Sequence, residues 1–217
     1  GHPPELVAVA ITQARLRTRA AAKFGEFAAG MLFTEDGLQQ ATRLEVAARH
    51  AARFAAAGLG RVADLGCGIG ADALALAGLG LGVLAVERDP VTAAIAQYNL
   101  AAFPDAEIRI GDAETAELDG VDGVWLDPAR RPGAARDGAR SGARGAGRGA
   151  PVRLAPEDWS PSLDFAFGLG DRLPTGVKLG PGMDRDLIPE DAEAQWVSVG
   201  REVVELVVWR GAVARPR

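Results

Sequence analysis

A glycine-rich segment near residue 66 has the composition of a loop that binds a nucleotide. It reads Asp64-Leu65-Gly66-Cys67-Gly68-Ile69-Gly70 and begins at the end of a short apolar run that predicts a strand. Glycines let the backbone approach a ligand closely, and the free N–H groups that open a following helix attract an anion. Gly66 and Gly68 with Ala71 also match the loose dinucleotide fingerprint, and Glu87 is the acid that ends the next strand. The glycines alone leave NAD and S-adenosylmethionine (SAM) equally open as the ligand.

Two further acids bear on that choice. Asp64 lies two residues before the first glycine, where a carboxylate can hold the ammonium group of a methionine moiety. Asp112 follows the third predicted strand in Gly111-Asp112-Ala113, where it can accept a hydrogen bond from an adenine amino group. Either acid alone could equally cap a turn or a helix. Together with a tight antiparallel hairpin predicted over residues 195–209, they favour SAM.

The apolar periodicity around these residues predicts the sheet that positions them. Short β-rich runs alternate with helical segments, which is typical of a parallel sheet with helices on both faces. Only Gly200-Arg201 separates the last two strands, which predicts a tight antiparallel hairpin. The fold class is therefore α/β, with a Rossmann-like, mostly parallel sheet and an antiparallel C-terminal hairpin. The predicted strands are 61–65, 82–86, 107–110, 121–126, 176–179, 195–199 and 202–209, and the predicted helices are 5–29 (one or two), 44–57, 71–77, 90–102 and 162–168.

Length and composition bound the domain organisation. The 217 residues suffice for one α/β domain, with a helical extension predicted over 1–58 and the sheet domain over 59–217. Residues 131–150 are a run of Gly, Ala and Arg that predicts a flexible loop. Residues 73–86, the longest apolar stretch without charge, are too few to span a bilayer. Because Cys67 is the single cysteine, we expect no internal disulfide, no cysteine-based metal cluster and a cytoplasmic location. We expect no membrane partner, and the sequence leaves the oligomeric state open, with a monomer favoured.

Charge is distributed unevenly along the chain. The net charge is −5, and of the 24 basic residues only Lys23 and Lys178 are lysines. Residues 130–153 contain seven arginines and one acid, Asp137, so this segment is basic while the remainder is strongly acidic. A basic loop on an acidic body indicates a polyanionic partner. The excess of arginine along the whole chain also fits a GC-rich genome, which leaves a simpler explanation of the loop open.

These motifs as a set resemble the class I SAM-dependent methyltransferases, whose sheet ends in an antiparallel strand. A closer resemblance is to the trimethylguanosine synthase-type RNA methyltransferases. It is carried by residues 23–25, 31–38 and 40–45 before the first strand, and by 85–91 and Asn99 after it. The chain is also similar to actinobacterial methyltransferases that usually continue into a THUMP-like C-terminal domain. These resemblances imply a set of SAM-binding residues: Thr42, Asp64, Gly66, Cys67, Gly68, Glu87, Arg88, Asp112 and Ala113.

The segment after the fourth predicted strand resembles a catalytic motif with two changes. RNA and DNA amino-methyltransferases have Asp, Asn or Ser there, followed by Pro-Pro and an aromatic residue, and this chain has Asp127-Pro128-Ala129-Arg130. In that family the first residue accepts a hydrogen bond from the target amine, and the aromatic ring stacks on the base. The resemblance assigns Asp127 and Pro128 to catalysis. Arg130 can stack on a base or pair with a phosphate where the aromatic ring is missing.

Three more residues are candidates for the substrate side: Arg131, Trp159 and Lys178. Arg131 continues the altered motif. Trp159 follows the basic loop and either meets the substrate or packs beneath the loop. Lys178 lies at the end of the fifth strand, where it either meets a phosphate or pairs with Asp184 or Asp186.

The predicted function is methyl transfer from SAM to a base nitrogen of RNA. Two alternatives stay open: a non-catalytic SAM-binding module, because the motif after Asp127 is altered, and an NAD(P)-dependent oxidoreductase, because the glycine fingerprint fits one. Two ring residues are predicted to be structural. Trp125 belongs to the core of the fourth strand, and His50 is a partly exposed helix residue.

Overall fold

The computed structural model describes residues 1–130 and 156–215. The chain divides into two compact units, Gly1–Trp125 and Leu126–Arg217. The described strands are β1 (Arg61–Leu65), β2 (Gly82–Glu87), β3 (Ala106–Ile110), β4 (Gly123–Leu126), β5 (Ala129–Arg130), β6 (Trp159–Ser160), β7 (Thr175–Leu179), β8 (Glu193–Val199) and β9 (Glu202–Arg210). The described α-helices are α1 (Pro4–Phe24), α2 (Glu35–Gln40), α3 (Leu44–Ala56), α4 (Ala71–Gly78), α5 (Pro90–Asn99) and α6 (Leu163–Gly168).

The sheet has the predicted architecture. Seven of the described strands form one sheet in the order β3-β2-β1-β4-β7-β9-β8, and β5 and β6 form a separate pair. β2 is parallel to both β1 and β3, whereas β9 is antiparallel to both β7 and β8. Gly200 closes the β8–β9 hairpin at a φ of 62°, a left-handed conformation that glycine adopts without strain. The prediction of a Rossmann-like, mostly parallel sheet with an antiparallel C-terminal hairpin is confirmed.

Helix α4 forms the centre of the first unit. All its residues from Ala71 to Ala77 are buried, because the helix contacts β1 and β2 as well as α3. A helix that is apolar on every side needs neighbours on every side. Asp72 is the single charged residue in this helical sequence, and it is buried with the rest.

The N-terminal helices belong to the same compact unit as β1 to β3. In α1 the buried residues Leu16, Ala20 and Phe24 recur every four positions, so they lie on one face of the helix. A 3₁₀ turn over Gly25–Gly30 follows, at the predicted break near Gly25. None of the helices in the described part of the chain has the length and apolar character that crossing a membrane requires. The predicted domain boundary after residue 58 stays a prediction.

Among the described residues, the short strands β5 and β6 and the helix α2 were not predicted from the sequence, and α2 is the one α-helix of this set. It has six residues and buries only Leu38, so no apolar period marks it. Polar groups hold it instead. The Thr34 hydroxyl oxygen accepts a hydrogen bond from the Gly37 N–H at its start, and the Lys23 ammonium donates to the carbonyl oxygens of Leu38 and Ala41 at 2.9 and 2.7 Å.

Arg210 links three segments of the second unit through hydrogen bonds and ion pairs. Its guanidinium donates to the Phe167 carbonyl oxygen at 2.6 Å and to the carboxylates of Asp171 and Asp191 at 2.8 and 2.6 Å. Gly170 fits against the same side chain, since a Cβ at that position would lie 2.6 Å from Arg210 Cδ. One side chain of β9 therefore holds both the end of α6 and the loop before β8.

Candidate active site

The glycine-rich turn has a conformation that needs glycine. Gly66, Gly68 and Gly70 have φ values of 83°, 56° and 84°, in the left-handed region that other residues rarely adopt. The N–H groups of Gly66 and Cys67 both donate to the Val86 carbonyl oxygen, at 2.9 and 3.0 Å, so the turn is fastened to β2. A Cβ at Gly66 or Gly68 would have no atom within 4 Å, so the backbone there is open to a ligand.

Glu87 joins the end of β2 to this turn. Its carboxylate accepts the Gly68 N–H at 3.1 Å and the Asp89 N–H at 2.9 Å. A carboxylate has about four acceptor sites, so two bonds leave capacity for the two hydroxyl groups of a ribose. From its place at the end of β2 we predict that Glu87 accepts hydrogen bonds from the ribose hydroxyls.

The other predicted cofactor residues lie around the same turn or after the next strand. Asp64 is 2% exposed in β1. Asp112 is exposed, and its carboxylate accepts the Glu114 N–H at 2.8 Å, so it caps a 3₁₀ turn that begins at Ala113. This capping role is compatible with a hydrogen bond from adenine, because a second oxygen is left. Arg88 is exposed next to Glu87.

The electrostatic field at the turn is negative. The pKa of the Cys67 thiol is raised well above its ordinary value, first by burial and then by the nearby carboxylates of Asp64 and Glu87. Burial disfavours either charge, but the two carboxylates favour a cation over an anion. SAM has an ammonium group and a positive sulfonium, which suit the neighbourhood of two carboxylates. The residues present therefore fit SAM.

Thr42 is buried in contact with the helix that follows the turn. Its hydroxyl donates to Asp72 Oδ2 at 2.8 Å, and the His50 Nδ1 lies 3.5 Å from Asp72 Oδ1. The His50 ring stacks on Trp125 with a centroid distance of 4.4 Å. Trp125 is core, as predicted. The prediction that His50 is partly exposed is wrong: it is 4% exposed, because it shares the buried face of α3 with Phe54.

In the second unit, Asp127 forms an ion pair with Lys178. Asp127 follows β4 directly, and Pro128 beside it is buried. Lys178 lies in β7 with its side chain only 12% exposed. The sequence proposed a phosphate, Asp184 or Asp186 as the partner of this lysine and missed Asp127, because the pairing depends on the order of strands in the sheet.

The remaining predicted residues fall in or beyond β5 and β6. Arg130 in β5 is the register partner of Trp159 in β6. Trp159 is 3% exposed, so its side chain is buried, and both of its predicted roles, packing beneath the loop and contact with substrate, stay predictions. Arg131 and the loop 131–150 lie outside the described residues.

Comparison with known proteins shows which proteins the chain resembles. Two curated proteins of Mycobacterium tuberculosis, from strains CDC 1551 and H37Rv, are 31% identical over 210 residues, and both are named uncharacterized S-adenosylmethionine-dependent methyltransferases. The chain is therefore similar to SAM-dependent methyltransferases over nearly its whole length. SAM is the cofactor that the names of these relatives and the carboxylates at the turn support. The match covers 92% of the chain and 52% of each relative, so the chain spans about half the length of these methyltransferases.

Solved structures support the methyltransferase fold. A candidate methyltransferase of Porphyromonas gingivalis W83 matches 96% of the chain and 51% of its own, with a TM-score of 0.70 and 24% identity. A candidate RNA methyltransferase of Pyrococcus horikoshii matches 90% of the chain and 96% of its own, with a TM-score of 0.54 and 16% identity. No protein-family model matches the chain. The closer resemblances, to trimethylguanosine synthases and to THUMP-linked methyltransferases, stay predictions.

Proposed function

We propose that this methyltransferase domain transfers the methyl group of SAM to a base nitrogen of RNA. The observation that carries the proposal is the Asp127 carboxylate, placed directly after β4 and ion-paired with Lys178. A carboxylate with a fixed orientation can accept a hydrogen bond from an N–H of the target. Its partner lysine limits the rotamers that the carboxylate can adopt.

Asp127 would act by geometry. Bound SAM supplies an electrophilic methyl group on its sulfonium sulfur. Accepting one N–H from the substrate amine would turn the nitrogen lone pair towards that methyl group. The N–C bond would form as the S–C bond breaks, with S-adenosylhomocysteine as the leaving group, and the proton that the amine loses would pass to the Asp127 carboxylate or to water. Correct positioning of two reactants lowers a barrier by about 7–11 kcal/mol in favourable cases, so a motif reduced to one carboxylate and one proline can still support transfer.

Three observations support RNA as the substrate. Residues 130–153 contain seven arginines and one acid, a composition suited to phosphates. The lead-in over 23–45 resembles RNA methyltransferases of the trimethylguanosine synthase type. One structural neighbour with the same fold is named a candidate RNA methyltransferase. Arg130 has the planar guanidinium that can stack on a base where the aromatic residue of the motif is missing.

A second candidate function is SAM binding without catalysis. The observation that favours it is the pair of changes after Pro128, where Ala129 and Arg130 replace the second proline and the aromatic ring. In addition, Trp159 is buried, so its ring is not available as a substitute platform in this conformation. Such a module would bind SAM with the same residues and transfer nothing.

Mass spectrometry of RNA nucleosides separates the two functions. RNA from a strain that lacks the gene is digested and compared with RNA from the parent strain, and the purified full-length protein with SAM is then added to the deletion-strain RNA. We expect one methylated nucleoside to be missing from the RNA of the deletion strain. The wild-type protein should restore this nucleoside in vitro, and Asp127→Ala should not. Identical nucleoside profiles together with intact SAM binding would favour the non-catalytic module.

A further inference from the structure

Asp72 is a buried carboxylate for which the proposed chemistry has no use. It is the second residue of α4, directly after the glycine-rich turn, and it is 9% exposed among alanines and leucines. Burying a carboxylate costs free energy unless hydrogen bonds or opposite charges compensate. The start of a helix offsets part of that cost. Contacts to the two carboxylate oxygens must offset the remainder of this free-energy cost.

Each oxygen of Asp72 contacts a different element of the N-terminal helical region. Oδ2 accepts the Thr42 hydroxyl at 2.8 Å, from the residues between α2 and α3. Oδ1 lies 3.5 Å from His50 Nδ1 on α3. A hydroxyl has one proton, and Thr42 donates its proton in the hydrogen bond to Asp72 Oδ2. The Thr42 oxygen is thereby left with acceptor lone pairs only, so it can receive an N–H or O–H from a ligand but cannot donate to one.

The residues before Thr42 also lie against the glycine-rich turn. Asn99 donates from Nδ2 to the carbonyl oxygens of Leu32 and Ile69 at 3.1 and 2.9 Å, and its Oδ1 accepts the Leu32 N–H at 2.8 Å. Gly37 lies so close that a Cβ would be 2.4 Å from Ile69 Cγ2. Ile69 is part of the turn. Residues 31–43 therefore form a strap along the turn, fixed to it near Leu32, Gly37 and Thr42.

We propose that Asp72 is a positioning residue for SAM binding. It holds Thr42 at one end of the strap and directs the acceptor lone pairs of its hydroxyl towards the ligand side of the glycine-rich turn. Asp72 itself acts through Thr42 and need not touch SAM. The inference concerns cofactor binding alone, so it does not depend on RNA or on Asp127.

Calorimetric titration with S-adenosylhomocysteine (SAH) tests this role in the full-length protein. Asp72→Ala and Thr42→Val each remove one side of the same hydrogen bond, and we expect each to weaken SAH binding about tenfold or more, the range for a hydrogen bond to a charged group. The double variant should bind no more weakly than Asp72→Ala alone, because coupled residues lose one shared interaction. Asp72→Asn keeps an acceptor oxygen for Thr42 and should bind within about threefold of wild type.

Two controls separate positioning from general damage. His50→Phe keeps a ring against Trp125 and removes only the second contact of Asp72, so SAH affinity should change little. Melting temperatures without ligand show which variants fold. If Asp72→Ala does not fold, Thr42→Val and Asp72→Asn still test the positioning role. Wild-type affinity in both Asp72→Ala and Thr42→Val, additive losses in the double variant, or an equal loss in His50→Phe would each overturn the proposal.

Discussion

The Lys178 ammonium is ion-paired with the carboxylate of Asp127, the first residue after β4. The lysine side chain is 12% exposed and the aspartate side chain is 36% exposed, so the pair lies at the edge between the protein interior and solvent. A long lysine side chain held in one position loses rotamer entropy, which the ion pair must offset. The arrangement gives the second unit one acceptor of defined orientation next to the altered motif.

The first prediction is that turnover depends on Lys178. Lys178→Met should lower kcat on RNA by about tenfold or more while KM and SAH affinity change little, because an interaction that positions an acceptor is expressed in the transition state. Lys178→Arg keeps the charge and should recover most of the activity. Steady-state methyl transfer with labelled SAM measures both constants. A KM effect with unchanged kcat would instead indicate that Lys178 binds substrate phosphate.

The second prediction concerns Glu87. Glu87→Ala removes the acceptor of the Gly68 N–H as well as the predicted contacts to ribose, so SAH binding should weaken by about 1.5–3 kcal/mol, the usual range for hydrogen bonds to a charged group. Isothermal titration calorimetry measures the change. Glu117→Ala, which removes an exposed acid after β3, is the matched control and should bind as wild type does. Equal affinities of Glu87→Ala and wild type would remove Glu87 from the cofactor site.

The third prediction is that stability falls at alkaline pH through Cys67. Burial and the carboxylates of Asp64 and Glu87 raise the pKa of this thiol above its ordinary value of 9.0. The unfolded chain therefore releases this proton at lower pH than the folded chain does, so the free energy of unfolding decreases as the pH rises above about 9. Urea unfolding at pH 8 and pH 10 should show a smaller loss for Cys67→Ala than for wild type. A loss of the same size in both proteins would contradict the assignment.

The same thiol should react slowly with alkylating reagents. The thiolate is the nucleophile, and the field at the turn disfavours it. At pH 8 iodoacetamide should label Cys67 of the folded protein far more slowly than that of the protein in urea, as followed by mass spectrometry. Rapid labelling of the folded protein would show that the turn is less acidic or less closed than described.

The fourth prediction concerns the arginine-rich sequence, which lies outside the described residues. Replacing Arg136, Arg140, Arg144 and Arg148 with serine should weaken RNA binding and make its salt dependence shallower by about 0.7 per lost phosphate contact, the value for single strands. SAH affinity should stay the same. Filter binding across a salt series gives the slope. An unchanged slope would mean that these arginines do not contact RNA, and the case for an RNA substrate would rest on resemblance.

The fold was predictable where local signals were strong. The short apolar runs of β1, β2 and β9 predict strands that are largely buried, and the glycines at 66–70 and the two-residue turn at Gly200 predict tight turns. Helix α2 gave no such signal, because its six residues are held by Thr34 and Lys23 and not by an apolar face. Polar contacts between distant residues leave no period in a sequence.

The site was predictable in part, for the same reason. The structure places Asp64 near the end of β1, Glu87 at the end of β2 and Asp112 just after β3, as the sequence predicted, and their contact with SAM stays a prediction. The partners of Asp72 and Lys178 were not predicted, although each of the two residues is the one charged side chain of its element, α4 or β7. A single charged residue among uncharged neighbours was the signal that the sequence offered. It indicates that a buried charge needs a partner, but it does not identify the residue that supplies one.

Single-turnover methyl transfer by Asp127→Ala tests whether the Asp127 carboxylate positions the target amine. The variant, wild type and Asp127→Asn are each loaded with labelled SAM and mixed with RNA from the deletion strain, and SAH affinity is measured on the same preparations. We expect Asp127→Ala to transfer methyl groups slower by a factor on the order of 10² or more, because misplacing a reacting group lowers the rate by about that factor. Asp127→Asn should have an intermediate rate. The SAH affinity of both variants should stay within about threefold of wild type. Transfer by Asp127→Ala at the wild-type rate would contradict the role of Asp127 and the amino-methyltransferase mechanism with it.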